Sequence, residues 1–258
     1  RITEFSRLRR FMLNNFIIHS IAKEENPFIG VHLEMDTYVL KKQKAERYVT
    51  RILNKEHKII NKVDISVFKR YNRFVYMWDE ISEFIWNTSQ INVLKSKRGP
   101  YVEHKDVRSN GFQNTYLYNH SSIDKYKINR IVYIKKTTKE QLRNHKVFSS
   151  RNMYRIYRCI WNSGKFYPGQ GIAIILNYDG SDPDKSIIPI LNSKLIDYIC
   201  IKYIFNMHNK PSNLQLDVTS FTPIKINYKK TIFSILCDYM MFLNTTEERR
   251  TTEKELIE

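Results

Sequence analysis

The stretch Ile187 to Ile224 constrains this chain more than any other. Leu191, Leu195, Ile196, Ile199 and Tyr203 recur at helical spacing, so a helix from Leu191 to Phe205 would carry one apolar face that has to be buried. Pro189 stands where a helix start tolerates it, and Pro211 and Pro223 bar continuation. The stretch then turns polar and irregular, and closes on Leu214, Leu216 and Phe221-Thr222-Pro223-Ile224. A buried amphipathic helix in any α/β protein meets the same description.

The chain is long enough to supply a partner for that face. With 258 residues, 42% of them hydrophobic, it can bury one sizeable core or two smaller ones, and no apolar run reaches membrane-spanning length. Cys159, Cys200 and Cys237 are widely spaced and odd in number, which supports neither a disulfide framework nor a zinc site and fits a reducing, cytoplasmic setting. Arg1 to Arg10 is basic, but Asn14, Asn15, His19 and Lys23 interrupt the apolar residues behind it, so no cleavable signal is expected.

The net charge of +17 is concentrated in one segment. Residues 91–165 carry 17 Lys and Arg against 4 Asp and Glu, whereas residues 1–90 carry 16 against 11 and residues 166–258 carry 10 against 11. Ordinary surfaces intersperse both signs. A segment this one-sided is the footprint expected of polyanion binding, because each cation that neutralises a phosphate releases a condensed counterion.

Periodicity organises the rest of the chain. Phe5 to Asn14 predicts a helix with Leu8, Phe11 and Met12 inward, Phe16 to Ile21 a buried strand, Asn26 to Val31 a turn, and Met35 to Leu40 a second strand. Gln43 to Arg70 is polar and reads as a surface wrap or linker. Phe74 to Trp86 has helical period. Short β-type runs follow at Ile91 to Leu94, Thr115 to Tyr118, Ile128 to Ile134, Tyr154 to Trp161 and Ile172 to Leu176. A last helix is expected from about Lys229 to Leu243, with a helical continuation over 245–258.

Two of these stretches resemble the TaqI-type adenine-specific DNA methyltransferases and the restriction enzymes fused to them. Leu-Asn-Ser-Lys-Leu-Ile at 191–196 opening an apolar helix, the polar segment after it and the Pro223-Ile224 exit resemble the end of that family's C-terminal target-recognition domain. The order helix, strand, Phe28-Ile29-Gly30-Val31 turn, strand, Lys41-Lys42 resembles the end of its catalytic domain, where a final β-hairpin completes the cofactor-binding sheet. The resemblance implies an α+β fold: a recognition domain with a mixed or antiparallel sheet and packed helices, preceded by the last helix and hairpin of a Rossmann-like domain. Its divisions would be 1–44 for the catalytic remnant, 45–86 for linker and packing helix, 87–226 for DNA target recognition and 227–258 for a C-terminal helical segment.

The same resemblance implies that the chemistry lies elsewhere. The family binds S-adenosylmethionine on a Gly-rich strand-to-helix turn and holds the target adenine with an Asn-Pro-Pro-Tyr or Asp-Pro-Pro-Tyr motif, both upstream of the matched regions. No Pro-Pro occurs in this chain, and Gly169 with Gly171 reads as a loop into a strand. The expectation is a C-terminal piece with no catalytic residue, no metal and no cofactor of its own. Its partners would be double-stranded DNA and an N-terminal catalytic domain of the same polypeptide, which would take the flipped adenine. S-adenosylmethionine would belong to the parent enzyme.

Candidate contacts come from residue chemistry. Lys95, Lys97, Lys135, Lys136 and Lys165 are assigned to phosphates. Base edges are assigned to some of Arg98, Arg108, Asn110, Arg151, Asn152 and Arg155, since Arg and Asn forks match guanine and adenine in the major groove. Lys95 to Pro100 reads as a basic, Gly-containing turn. Over Arg151 to Arg158 either strand face can be core or DNA side. The alternative is a self-contained basic nuclease or RNA-binding protein. Glu56-His57-Lys58 and Glu103-His104-Lys105 have the Glu-x-Lys spacing of metal-dependent nucleases, but the supporting Asp is not in a Pro-Asp pair.

Overall fold

A computed structural model of the chain describes residues 5–24, 35–101, 107–108, 114–117, 119–134, 140–151, 157–204, 216–225 and 227–245. The chain divides into two compact units, Arg1–Ile85 with Lys202–His208 and Trp86–Ile201 with Asn209–Glu258. Both mix helices with small sheets, as an α+β chain should.

The first unit is built on helix α1 (Ser6–Asn15), strands β1 (Ile17–Glu24), β2 (Met35–Lys41), β3 (Val49–Leu53) and β4 (Ile59–Asp64), and helix α2 (Ile65–Tyr71). The expected pairing of the first two strands is present: β1 and β2 are antiparallel, from Ile17 opposite Lys41 to Glu24 opposite Met35. The polar stretch read as a linker departs from expectation, because β3 joins β1 in parallel and β4 joins β3, giving the order β2-β1-β3-β4. Alternation explains why a polar sequence can do this: Thr50, Ile52 and Val63 are buried while their neighbours face water. Buried Thr50 donates its hydroxyl to the Ile18 carbonyl at 2.9 Å.

Helix α1 is inward along a different line from the expected one. Leu13 is 4% exposed, whereas Leu8 and Phe11 are 52% and 56% exposed. One turn before Leu13, the Arg9 side chain donates through Nε to the Asn72 carbonyl at 2.9 Å, so a polar anchor sets the rotation of the helix. Helix α3 (Glu80–Thr88) starts later than the periodicity of Phe74 to Trp86 predicts. Asp79 stops it earlier by capping: Oδ1 accepts from the Ser82 amide and hydroxyl at 2.9 and 2.7 Å.

The second unit holds β5 (Leu94–Arg98), β6 (Val107–Arg108), β7 (Asn114–Leu117), β8 (Ile123–Asp124), β9 (Lys127–Ile128), β10 (Val132–Ile134), β11 (Val147–Ser150), β12 (Cys159–Trp161), β13 (Tyr167–Pro168) and β14 (Ile172–Asn177). One sheet runs β12-β11-β14-β5, a second β13-β7-β10-β6, and β8 and β9 form a hairpin. Strand β14 is buried from Ile172 to Leu176, the signature of a central strand covered on both faces. Ile172, Ile174 and Leu176 join Phe148, Ile160, Leu117 and Ile123 in one core. Helix α6 (Leu216–Phe221) packs on β5 and α4 (Ile187–Asn192) on β12, while α5 (Lys194–Ile199) and α7 (Lys230–Thr245) pack on α4. Ser96 on β5, for example, accepts a hydrogen bond from Thr219 on α6 at 3.0 Å.

Other expectations shift by a few residues or split. The basic stretch from Lys95 is strand rather than turn, because β14 offers it a free edge and Leu94 and Ser96 alternate inward. The run Ile128 to Ile134 divides into β9 and β10, and only Cys159–Trp161 of the expected strand at 154–161 is described as one. The expected single helix from Leu191 breaks at Ser193, and Leu195, expected on its apolar face, is 57% exposed. Helix α7 lies where expected. The turn at 26–31, Leu214 and the segment 246–258 fall outside the described residues.

Candidate nucleic-acid interface

Strand β5 carries Lys95, Lys97 and Arg98 along the edge of its sheet. Lys95 faces Leu176 and Lys97 faces Ile174 across the ladder, so both share the face of those core residues at its open margin. Lys95 is half-buried. Its ammonium rests beside Gly180, and its charge helps hold the Asp179 carboxyl below its ordinary value, after hydrogen bonds from Ser181. Lys97 and Arg98 are exposed.

The end of β5 is shaped by one glycine. A Cβ on Gly99 would stand 2.0 Å from the Gly169 carbonyl oxygen, so only glycine fits there. The Gly99 amide donates to Ile172 at 2.9 Å. This close approach brings the Gly169–Gly171 loop against the end of β5, and Gln170 presents its carbonyl to two guanidinium groups. Arg98 donates through Nε at 3.2 Å and Arg151 through Nη1 at 3.3 Å. The donor nitrogens are thus separated by no more than the sum of those distances, and two like charges so placed repel by about 1 kcal/mol in a solvent-rich dielectric. Arg151 is further tied by its amide to Gly171 at 3.0 Å. Burial, and then the nearby Arg98 charge, push its pKa below the usual guanidinium range. Its Nε is buried without a hydrogen-bond partner among the described residues.

The remaining candidates are more scattered. Lys165 is exposed on a turn that Gly164 permits at φ +89°, and its carbonyl accepts from the Thr115 hydroxyl at 2.8 Å. Arg108 lies in β6 opposite Tyr133. Asn110, Lys135, Lys136, Asn152 and Arg155 fall outside the described residues. The structure therefore brings Arg98 and Arg151 together and lines Lys95 and Lys97 up beside Arg98. Nothing in the sequence singled out Gln170, whose contribution is a main-chain oxygen and leaves no mark on residue type.

The Leu191 to Ile196 motif serves the scaffold. Asn192 is buried at the end of α4, and its side chain accepts from the Cys159 amide at 2.7 Å and donates to the Cys159 carbonyl at 3.0 Å. It behaves as an extra strand residue pairing with β12. Ser193 is extended and caps α5, its hydroxyl accepting from the Ile196 amide at 3.2 Å. Lys125, 2% exposed, donates to the Asn192 carbonyl and lies 3.4 Å from the Asp197 carboxylate. One cation of the basic segment is thus a core strut between the β8–β9 hairpin and the helices. The sequence had no signal that separates it from the surface cations.

Among the described residues no three His, Cys, Asp or Glu side chains are grouped so as to hold a metal ion. Glu56-His57-Lys58 forms the β3–β4 turn, with His57 at φ 57°, and Glu103 to Lys105 fall outside the described residues. All three cysteines are free and buried. Burial pushes the thiols of Cys159 and Cys237 up to about 12. No described helix is long and apolar enough to cross a membrane.

No family model matches the chain, and no curated protein does. Among solved structures it aligns with the type IIG restriction endonuclease BpuSI at a TM-score of 0.40 and 10% identity, over 98% of this chain and 44% of that one. The chain thus spans less than half of that neighbour's length. A likeness of this strength assigns neither fold nor activity.

Proposed function

We propose that the chain is the sequence-specific DNA recognition module of a bacterial restriction-modification enzyme, an adenine-specific DNA methyltransferase of the TaqI type or a restriction enzyme fused to one. The observation that carries this reading is the segregation of charge. The segment 91–165, with 17 basic against 4 acidic residues, supplies the exposed Lys97, Arg98 and Lys165 and the half-buried Arg151. That concentration favours a polyanion with closely spaced phosphates. The resemblance of residues 187–224 to a target-recognition domain narrows the polyanion to duplex DNA.

In this reading lysines hold backbone phosphates and set the register, while some of Arg98, Arg108, Asn110, Arg151, Asn152 and Arg155 read base edges. Methyl transfer and S-adenosylmethionine belong to a catalytic domain elsewhere in the parent polypeptide. The module itself carries no catalytic step.

Fluorescence anisotropy with labelled duplexes across a salt series tests the reading. If about six phosphates are contacted, log K should fall with log salt at a slope of about −5. Affinity unchanged between low and high salt removes the electrostatic basis. Lys135→Ala or Lys136→Ala should weaken all sequences alike, and Arg108→Ala or Arg155→Ala should cost about 1–3 kcal/mol on the recognised sequence only. Calorimetry should detect no binding of S-adenosylmethionine to this chain. RNA bound in preference to duplex DNA would favour the RNA-binding alternative.

A further inference from the structure

The Gln170 carbonyl is one partial negative charge facing two full positive ones. Neither Arg98 nor Arg151 has a carboxylate partner among the described residues, so within them the pair is a double positive charge at a fixed place. Proteins place like charges together at a cost, and the arrangement is stable only when an anion, or a favourable fixed geometry, offsets the repulsion. The Gly99–Gly169 approach supplies the fixed geometry.

We propose that Arg98 and Arg151, clamped by the Gln170 carbonyl, form a binding site for a tetrahedral phosphate oxyanion, and that in the DNA complex it takes a backbone phosphodiester rather than reading a base edge. The source of the phosphate rests on the DNA-recognition reading; the oxyanion site does not.

The hydrogen bonds already made decide between phosphate and base. Arg98 has committed Nε to main chain, which leaves its Nη1–Nη2 edge, and Arg151 has committed Nη1. A guanidinium tied to its own scaffold sits at a set depth and suits planar, bidentate contact with an oxyanion. Bidentate reading of guanine needs a fork that projects from the surface to the floor of a groove about 8.5 Å deep. Arg151 is half-buried, tied down by both its amide and its side chain, and lacks that reach. Two guanidinium groups around one point also suit the charged non-bridging oxygens of a phosphodiester, which accept charge-assisted hydrogen bonds, better than the uncharged acceptors of a guanine edge.

The test follows the arginine side-chain Nε–Hε resonances of the full chain, labelled with nitrogen-15, as inorganic phosphate is added at constant ionic strength with chloride as the balancing ion. The expected result is that Arg98 and Arg151 shift together and saturate with phosphate, that chloride alone leaves them in place, and that a short duplex DNA moves the same two resonances. Arg98→Lys and Arg151→Lys keep the charge but lose the fork, and each should weaken phosphate binding by about tenfold with the melting temperature near the parent's. Resonances that do not respond to phosphate, or respond equally to chloride, overturn the site, and this readout needs no variant to fold. The two readings separate cleanly. Phosphate binding with no duplex DNA bound in the anisotropy titration leaves the oxyanion site standing and removes the DNA-recognition reading. Duplex binding indifferent to both Lys substitutions, with phosphate silent, removes the site and leaves recognition standing.

Discussion

Asn192→Ala is the substitution that most directly asks what the Leu191 to Ile196 motif does. The Asn192 side chain accepts from the Cys159 amide at 2.7 Å and donates to the Cys159 carbonyl at 3.0 Å, within a fully buried setting. The two losses are unequal. The Cys159 carbonyl keeps a second donor, the Tyr126 amide at 3.1 Å, whereas its amide is left without an acceptor. Orphaning one buried amide costs about 1–3 kcal/mol, and the small cavity left by the amide group adds about 1 kcal/mol. A total near 3 kcal/mol corresponds to a fall of about 6–12 °C in melting temperature for a unit of this size. Leu195→Ala is the matched control. Leu195 is 57% exposed, so its truncation should change stability by less than about 0.5 kcal/mol although the helical period places it on the apolar face. Urea unfolding measures both, and hydrogen exchange of the Cys159 amide should show protection lost in Asn192→Ala specifically. A larger loss from Leu195→Ala than from Asn192→Ala would refute the reasoning, because the motif would then be burying an apolar helix face rather than joining helix to strand.

Three other outcomes follow from the packing and the charges. Gly99→Ala should destabilise by about 1–3 kcal/mol in thermal melts, since its Cβ would meet the Gly169 carbonyl at 2.0 Å, and phosphate affinity should fall with it. Native Cys159 should resist alkylation at pH 8 and react on unfolding. With its folded pKa raised to about 12 from an ordinary 9.0, it contributes stability that is present below 9.0 and is lost as pH rises towards 12, and a pH series of urea midpoints should show that alkaline loss reduced in Cys159→Ala. Asp79 behaves oppositely: burial acts to raise its pKa, but Lys202 at 2.8 Å, with Ser82 and Tyr203, outweighs it and holds it well below 3.8. The stability it contributes is present above 3.8 and lost as pH falls, so Asp79→Asn should flatten the acid limb of the urea midpoints.

Elements whose cause is local were legible in the sequence. Helix α1, strands β1, β2, β7 and β14 and helix α7 all lie within about three residues of their expected places, because each rests on a periodicity or an apolar run of its own. The concentration of charge was legible for the same reason, being a property of composition. What tertiary structure alone decided depends on partners distant in sequence. Strands β3 and β4 are too polar to announce themselves and exist because β1 offers an edge. The basic stretch at Lys95 is a strand because β14 does, and the helix through Ser193 breaks because Asn192 is held by β12. The pairing of Arg98 with Arg151 is the extreme case. It spans 53 positions and is mediated by a main-chain oxygen, made possible by Gly99, whose role is the absence of a side chain. A sequence records residue types; a carbonyl and a missing Cβ become specific only when the chain has folded around them.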